Sequence, residues 1–359
     1  MAKLITKLIE PGSDEWVEVL NFADHDFYHL PCYQQLASSE GETPRAFWAS
    51  NGSDLFLLPF QQRQLPHELT DGEVLYDAGS SYGYAGPIWS RGASSDFVAA
   101  AARQFADRLG DEKFVSAFLR LHTLLNDPNN LGGVGEIVNH GPSVYIDLTL
   151  TEEELWKQTR RGHKRDLKIL NERGYTIVTD DWDRLDDFLT CYYDTMRRLE
   201  ASSFYFFPKN YFEELRACLG DDRIHLCLVY LNGDIACAGL VTEMDGLCQY
   251  HLSATANAHL QDHPSKLMLH HLRMWLKNRG NRIYHVGGGV GALRDTLQLF
   301  KAGFSPLAAD FYTWRIIPDR RRYEGLVNRH YEINSFEPAQ VDGDLAFFPQ
   351  YRNPMTGAE

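Results

Sequence analysis

Apolar and polar residues follow their most regular pattern after about residue 145. Three apolar runs there, at 224–231, 235–242 and 247–254, are joined by the dipeptides Asn232-Gly233 and Asp245-Gly246. Asn-Gly and Asp-Gly readily adopt the positive φ angles that two-residue hairpin turns require. The pattern therefore predicts an antiparallel meander of three strands.

Helical periodicity surrounds this meander. Thr151 followed by Glu154 is a capping-box sequence, and it predicts a helix of some twenty residues that ends at Gly174. Pro264 marks the start of another helix, whose apolar residues recur on one face. The other predicted elements are helices at 185–199, 211–219 and 293–301, strands at 143–148, 175–179, 283–286 and 308–316, and a glycine turn at 287–291. This order of elements fits neither a doubly wound sheet nor a barrel.

The first 145 residues are patterned less regularly. Short strands at 46–49 and 55–60, a helix at 94–109 and a strand at 114–121 are predicted there. The Asn- and Gly-rich stretch at 126–135 predicts a long loop. The change in pattern predicts a boundary between two domains near residue 145.

Composition narrows the class of protein. Of 359 residues, 44% are apolar and 23% are charged, which excludes a disordered chain. Lys and Arg number 35 against 49 Asp and Glu, a net charge of −14, which disfavours a globally basic nucleic-acid binder. DNA is therefore not an expected partner, although a local basic groove remains compatible with this balance.

The N-terminus and the cysteines bear on location. The first residues lack the apolar core of a signal peptide, and no stretch approaches the ~18 apolar residues that a membrane span needs. The six cysteines form no CxxC pair and are expected to be reduced. Together these features predict a cytoplasmic protein without an integral membrane segment.

Several segments resemble the FemAB-like branch of the GNAT acyltransferase superfamily. They are RRGHKRDL at 160–167, FYFFP at 204–208, YHLS at 250–253, GGG at 287–289 and FKAGF at 300–304, with SSYGYAGP at 80–87 similar to the first-domain signature. The resemblance implies an α+β fold with two tandem GNAT-like domains, each a mixed, largely antiparallel sheet flanked by helices. The first domain is expected to span 1–145 and to be completed by 318–359, and the second is expected to span 146–317.

The resemblance also implies a function, namely transfer of an acyl or aminoacyl group to an amine of a cell-envelope precursor, either an amino sugar or a peptide. The donor would be acyl-CoA or aminoacyl-tRNA, so tRNA is a candidate partner, and no metal is expected. One alternative is a CoA-dependent N-acetyltransferase acting on a small amine. Another is a non-catalytic module that binds a sugar nucleotide.

Lys301 is the leading catalytic candidate because it matches the lysine of the family's Phe-Lys-x-Gly-Phe motif. A cation near the reacting carbonyl would stabilise the developing oxyanion. The alternative is a lysine that only complements a helix dipole. His251 or Glu243 is the candidate general base, acting through water, and the sequence does not choose between them.

Residues 157–173 carry seven bases against two acids. Helical spacing on one continuous helix would place Lys157, Arg161, Arg165 and Lys168 along one face, suited to a diphosphate or to tRNA phosphates. The alternative is a solvated face paired with the acidic run at 180–187. Arg161 and Arg165 are therefore candidate binding residues.

The other candidate binding residues follow from the motifs. They are Tyr82, Tyr84, Tyr205, Tyr250, Gly288, Gly289 and Phe300. The alternative for the aromatic residues is a packing role, and the alternative for the glycines is that they only form a turn.

One departure from the GNAT pattern concerns the donor. CoA-dependent members usually carry a glycine-rich loop before the helix that here begins near Pro264, and residues 256–263 contain no glycine. This difference favours aminoacyl-tRNA as the donor, or an acyl-CoA donor bound in an atypical way. His259 and His263 lie in this loop, but their surroundings do not favour a zinc site.

Overall fold

The structure is a computed structural model that describes residues 4–289, 296–334 and 347–353. The chain forms two compact units. Unit 1 consists of Met1–His140 and Phe311–Glu359, and unit 2 is Gly141–Asp310. The sequence places the domain limits at 145 and 317, a few residues beyond each of these boundaries.

The described elements are named in chain order. The strands are β1 (Ile5–Ile9), β2 (Glu42–Ser50), β3 (Leu55–Gln64), β4 (Tyr76–Gly79), β5 (Ile88–Trp89), β6 (Phe114–Arg120), β7 (Glu136–Asp147), β8 (Thr176–Thr179), β9 (Ile224–Leu231), β10 (Asp234–Met244), β11 (Leu247–Thr255), β12 (Ile283–Gly287) and β13 (Ala308–Ile316). The helices are α1 (Asp14–Phe22), α2 (Pro31–Leu36), α3 (His67–Thr70), α4 (Ser95–Asp111), α5 (Glu152–Gln158), α6 (Arg161–Glu172), α7 (Leu185–Arg198), α8 (Lys209–Leu219), α9 (Ser265–Asn278), α10 (Thr296–Lys301) and α11 (Arg320–Ile333).

Unit 1 is built on a mixed sheet with the strand order β1-β2-β3-β4-β6-β13, and β5 pairs with β3. Its pairs are antiparallel except β4 with β6, which is parallel. The Ser94 hydroxyl caps α4, whose buried face, including Phe97 and Phe105, packs on the sheet. From the C-terminal segment, Tyr351 and residues of α11 join Leu65 and Val115 in a further apolar cluster.

Unit 2 contains the predicted meander. Its strand order is β7-β12-β11-β10-β9-β8. The hairpin dipeptides Asn232-Gly233 and Asp245-Gly246 have positive φ at all four residues, as the turn type requires. Helix α9 buries Leu267, Leu272 and Leu276 against one face of this sheet.

The sheet of unit 2 opens between β11 and β12. These two strands are parallel, and their pairing runs from Leu247 opposite Ile283 to Gln249 opposite His285. Strand β11 continues for six residues beyond Gln249 while β12 ends at Gly287. The strands therefore part after the Gln249–His285 pair, which leaves an opening in the sheet.

The long helix predicted from Thr151 is interrupted. The capping box is present, but α5 ends at Gln158 and α6 begins at Arg161. Thr159 is extended, with φ −67° and ψ 126°, and its hydroxyl donates to the carbonyl of Leu155. The prediction that Lys157 shares one continuous helix face with Arg165 is therefore wrong, because the break reorients the chain.

Four of the six cysteines are free thiols in the described chain. Cys191, Cys227, Cys237 and Cys248 are free and buried, and burial raises the pKa of Cys227 to about 12. Among the described helices, none has the length and apolarity that crossing a membrane requires.

The predicted turn at 287–291 and the start of the helix predicted at 293–301 lie partly outside the described residues. So does part of the segment 318–359 that is expected to complete the first domain.

Candidate functional site

Lys301 is held at the end of β12. It is the last residue of α10, its side chain is largely buried, and its Nζ donates to the carbonyl of Gly288 at 2.7 Å. A Cβ on Gly287 would lie 3.2 Å from Nζ, and Gly287 has φ 86°. Glycine is therefore required at 287 for both the backbone conformation and the approach of the ammonium group.

The turn that follows Lys301 packs against the start of α6. The His163 ring stacks on Phe304 with centroids 4.7 Å apart, and its centroid lies 5.8 Å from that of Phe300. A Cβ on Gly303 would lie 1.8 Å from His163 Cε1, and the Gly303 carbonyl accepts from the Arg160 amide at 2.8 Å. The RRGHKRDL and FKAGF segments thus form one contact region.

A buried arginine supports the same turn from α9. Arg273 is fully buried, and its guanidinium lies over the Phe304 ring, 5.3 Å from the centroid. It donates to the carbonyls of Phe304 and Leu155 at 3.5 and 3.4 Å. Burial lowers the pKa of Arg273 to about 10. It has no carboxylate partner within the described chain, so its charge is stabilised by these carbonyls and by His270 Nδ1, which accepts from Arg273 Nε at 3.1 Å.

Three basic residues of α6, Arg161, Arg165 and Lys168, are exposed. Arg165 is 78% exposed and lies 3.5 Å from Asp166, which also accepts from Lys266 at 2.5 Å. Arg160 and Arg161 are exposed, and neither forms an ion pair with a described residue. Arg165 therefore lies on the exposed side of α6, the helix whose buried His163 packs against the turn after Lys301.

The acidic run at 180–187 has other partners. Asp180 binds His225, Asp186 binds Lys209, and Asp181 and Asp187 bind Arg184. No ion pair among the described residues joins this run to α6. The geometry therefore does not support the alternative in which the basic face is neutralised by these acids.

Glu243 lies in a buried hydrogen-bond network. Its carboxylate accepts from His225 Nε2 at 2.7 Å, from Arg279 Nε at 2.5 Å and from the Asn281 amide. Burial alone would raise the pKa of Glu243, but these three donors lower it. A carboxylate with reduced proton affinity is a weaker base, which counts against the predicted general-base role of Glu243.

His225 is the centre of that network. Its Nδ1 donates to Asp180 at 3.0 Å and its Nε2 donates to Glu243. Burial opposes the charge, but the two carboxylates raise the pKa of His225 overall. The folded protein therefore favours the imidazolium form of His225 more than an unperturbed histidine environment does.

His251 lies on β11 two residues beyond the last β11–β12 pair, so it borders the opening. Its side chain is buried, with only 9% of the residue exposed. This position is compatible with the predicted role of a general base for an amine bound at the opening.

The predicted aromatic residues occupy two units. Tyr250 packs on the core of unit 2, with its ring 6.3 Å from that of Tyr284, and burial raises its pKa. Tyr205 ends a short 3-10 helix, and its carbonyl accepts from the Tyr192 hydroxyl at 2.6 Å. Tyr82 and Tyr84 belong to unit 1, where the Tyr84 ring lies 5.3 Å from that of Phe311.

The loop before α9 is occupied by internal contacts. Residues Asn257–Asp262 form a 3-10 helix, and the Asp262 carboxylate accepts from the Tyr175 hydroxyl at 2.6 Å and from Arg173. His259 Nδ1 lies 3.1 Å from the same hydroxyl. The described part of the chain contains no group of three potential metal-ligating side chains.

Sequence reasoning missed two features of the site. One is His163, whose packing against Gly303 was not apparent although it lies within the RRGHKRDL segment. The other is a hydrogen-bonded chain of Ser143, His285 and Gln249 on three adjacent strands. The signal for the second was the alternation of polar residues along β11, at 249, 251 and 253, which places Gln249 on the polar face of that strand.

Residues 157–293 match the family model described as acetyltransferase (GNAT) domain. No curated protein sequence matches the chain. Among solved structures, the chain is similar to FemX, with a TM-score of 0.65 and 12% identity over 89% of this chain and 99% of that one. It is also similar to L-PGS from Bacillus licheniformis, with a TM-score of 0.56 and 14% identity over 87% of this chain and 94% of that one.

A third similar structure is the C-terminal domain of a putative lysylphosphatidylglycerol synthetase from Agrobacterium fabrum, with a TM-score of 0.56 and 12% identity. The alignment covers 88% of this chain and 93% of that one. The family match agrees with the predicted GNAT-type domain at residues 157–293, and the shared fold confirms the predicted α+β class.

Gly303→Ala is expected to destabilise the protein by about 1–3 kcal/mol, because the new methyl group must displace the His163 ring. Gly325→Ala is the matched control, since a Cβ there meets no atom within 4 Å and alanine favours the interior of α11. Thermal unfolding of both variants measures the difference. Equal melting temperatures for the two variants would show that the close packing of His163 on Gly303 is incorrect.

The His225 network predicts a pH-dependent stability. The raised pKa of His225 means that its stabilising contribution is fully present below the unfolded value of 6.5 and is lost as the pH rises through the folded value. The melting-temperature difference between wild type and His225→Gln is therefore expected to be largest near about pH 5.5 and to shrink above 6.5. A difference that grows with pH would contradict the charged network.

Proposed function

Starting from a GNAT acyltransferase domain at residues 157–293, we propose that the protein transfers an aminoacyl group from aminoacyl-tRNA to an amine of a cell-envelope precursor. Acyl-CoA-dependent transfer to a small amine is the second candidate. The observation that carries the proposal is the buried Lys301 ammonium, fixed on the Gly288 carbonyl at the end of β12, where β11 and β12 have parted.

Lys301 suits the stabilisation of an acyl-transfer transition state. Attack of a neutral amine on an ester or thioester carbonyl places negative charge on the carbonyl oxygen. A preorganised cation in a site of low dielectric constant stabilises that charge more than water does. The stacked His163 and the buried Arg273 support the turn after Lys301, which limits the movement of its backbone.

The donor preference rests on charge and on the loop before α9. Arg160 and Arg161 are exposed and make no ion pair with described residues, so they are suited to phosphate contacts along an RNA backbone. The loop lacks glycine, and Asp262 places a carboxylate two residues before Pro264. Because Arg173 pairs with that carboxylate, the missing glycine is the stronger argument, since side chains limit how closely a pyrophosphate can approach the backbone before α9. Aminoacyl-tRNA is therefore the preferred donor.

The acceptor follows from the similar structures only by analogy of fold. The name of the Agrobacterium fabrum protein describes a lysyl group on phosphatidylglycerol, an aminoacylated envelope component. An amine on an amino sugar or a peptide of an envelope precursor fits the same reaction class. A non-catalytic module that binds a sugar nucleotide is less compatible with a buried, fixed Lys301.

Lys301→Ala is expected to lower kcat by about 10²–10³-fold with little change in KM, because the cation acts mainly in the transition state. Lys277→Ala is the control, since that lysine lies on α9 and donates to the Leu148 carbonyl. The measurement is transfer of labelled amino acid from aminoacyl-tRNA, and of labelled acetyl from acetyl-CoA, to envelope-precursor amines. Comparable kcat for wild type and Lys301→Ala would exclude the proposed role.

The double variant Arg161→Ala/Arg165→Ala tests the donor. If each arginine contacts one phosphate, the slope of log K for tRNA binding against log salt should decrease in magnitude by about 1.4–1.8. Arg197→Ala is the control, because that exposed arginine on α7 pairs with Asp194 at 2.8 Å. An unchanged slope, or saturable binding of acetyl-CoA without binding of tRNA, would favour the CoA-dependent alternative.

A further inference from the structure

Three buried polar side chains form a continuous chain on one face of the unit 2 sheet. Ser143 Oγ lies 2.7 Å from His285 Nε2, and His285 Nδ1 lies 2.7 Å from Gln249 Oε1. The residues come from β7, β12 and β11, and each is at most 2% exposed. A sheet interior needs no such groups for packing, since apolar residues of similar size would fill it.

The partners fix the direction of these hydrogen bonds. Gln249 Oε1 can only accept, so Nδ1 of His285 carries the proton and donates to it. In the neutral ring Nε2 then holds a lone pair, and the Ser143 hydroxyl donates to it. His285 is therefore oriented as a base toward Ser143, in the way that an oriented imidazole serves a hydroxyl in other active sites.

The chain lies where the sheet opens and beside the backbone that holds Lys301. Gln249 and His285 form the last pair before β11 and β12 part. Val144, next to Ser143, pairs with Gly287, and the Pro142 carbonyl lies 3.3 Å from the position of a Cβ on Gly288. The Gly288 carbonyl in turn accepts from Lys301. All of these contacts lie within unit 2.

We propose that Ser143, His285 and Gln249 form the proton relay of the acyl transfer, in place of a base acting through water; this inference rests on the proposed function. The attacking amine forms a bond to the carbonyl carbon and gives one N–H proton to Ser143 Oγ. Ser143 simultaneously gives its hydroxyl proton to His285 Nε2, and Gln249 Oε1 stabilises the imidazolium through Nδ1–H.

The return of the proton completes the balance. When the tetrahedral intermediate collapses, the bond between the carbonyl carbon and the leaving oxygen of the donor breaks. His285 returns its proton through Ser143 to that oxygen, which leaves as a hydroxyl group. The amide product has lost one amine proton, the relay is restored, and Ser143 forms no covalent bond to the acyl group.

The first experiment compares two hydroxyl–imidazole pairs in unit 2. Ser143→Ala and His285→Gln are expected to lower kcat by about 10²-fold or more, the range of general acid–base catalysis, with KM changed less than about threefold. Thr179→Ala and His271→Gln are the matched controls, because Thr179 Oγ1 and His271 Nε2 form a similar bond at 3.1 Å. Ser143→Thr, which keeps the hydroxyl, should recover much of the activity lost in Ser143→Ala.

The second experiment uses a readout that packing alone would not change. Gln249→Glu keeps an acceptor for Nδ1–H and adds a negative charge, so the acidic limb of the kcat/KM pH profile should move to higher pH. A profile that does not move in a folded, active Gln249→Glu protein would overturn the relay. So would wild-type kcat in Ser143→Ala.

The third measurement separates the relay from a covalent mechanism and from failure of the proposed function. The mass of the intact protein incubated with aminoacyl-tRNA alone should be unchanged. An aminoacyl adduct on Ser143 would overturn the relay in favour of an acyl-enzyme. If wild-type protein transfers no group from any donor, both the proposed function and the relay fail. If wild-type protein and Ser143→Ala transfer the group equally well, only the relay is refuted.

Discussion

A buried ammonium group needs a hydrogen-bond acceptor, and in this protein the Gly288 carbonyl supplies one for Lys301. The surrounding structure follows from that requirement. Gly287 has no side chain where Nζ approaches, and β12 ends there so that the carbonyl is directed at α10. In the proposed reaction, a cation held in this way would already occupy its working position, so little reorganisation would accompany acyl transfer.

Two different interactions, a stacked histidine ring and a buried arginine, hold the turn after Lys301 at the same phenylalanine. His163 stacks on Phe304 and fills the position that a side chain at 303 would occupy. Arg273 lies over the same Phe304 ring and donates to its backbone carbonyl. Burying an arginine without a carboxylate is costly unless other groups solvate it, and here the carbonyls and the aromatic face do so. The turn is thus tied to α5, α6 and α9.

The two faces of the unit 2 sheet carry different kinds of side chain. Cys248, Tyr284 and Val286 belong to the apolar core that includes α9, whereas Gln249 and His285 carry the hydrogen-bonded chain on the other face. Because side chains alternate along a strand, a shift of one residue in register would exchange these two sets. The Asp245-Gly246 hairpin and the parallel pairing of β11 with β12 fix that register.

Local sequence determined much of the architecture. The dipeptides Asn232-Gly233 and Asp245-Gly246 determined the meander because few residues adopt their φ angles, and the Thr151 capping box determined where α5 begins. Such signals act within a few residues of the chain, so they can be read without the fold. The FKAGF segment indicated Lys301 in a different way, because it resembles a family motif whose lysine is expected to lie in the site.

Only the tertiary structure decided which distant residues meet. The helix break at Thr159 depends on where the Gly303 carbonyl receives the Arg160 amide, and these residues are separated by more than a hundred positions. The same holds for Ser143, His285 and Gln249, which lie far apart in the chain and meet through strand order. Hairpin and capping signals are local, whereas long-range pairing depends on the packing of the whole sheet, which no short segment encodes by itself.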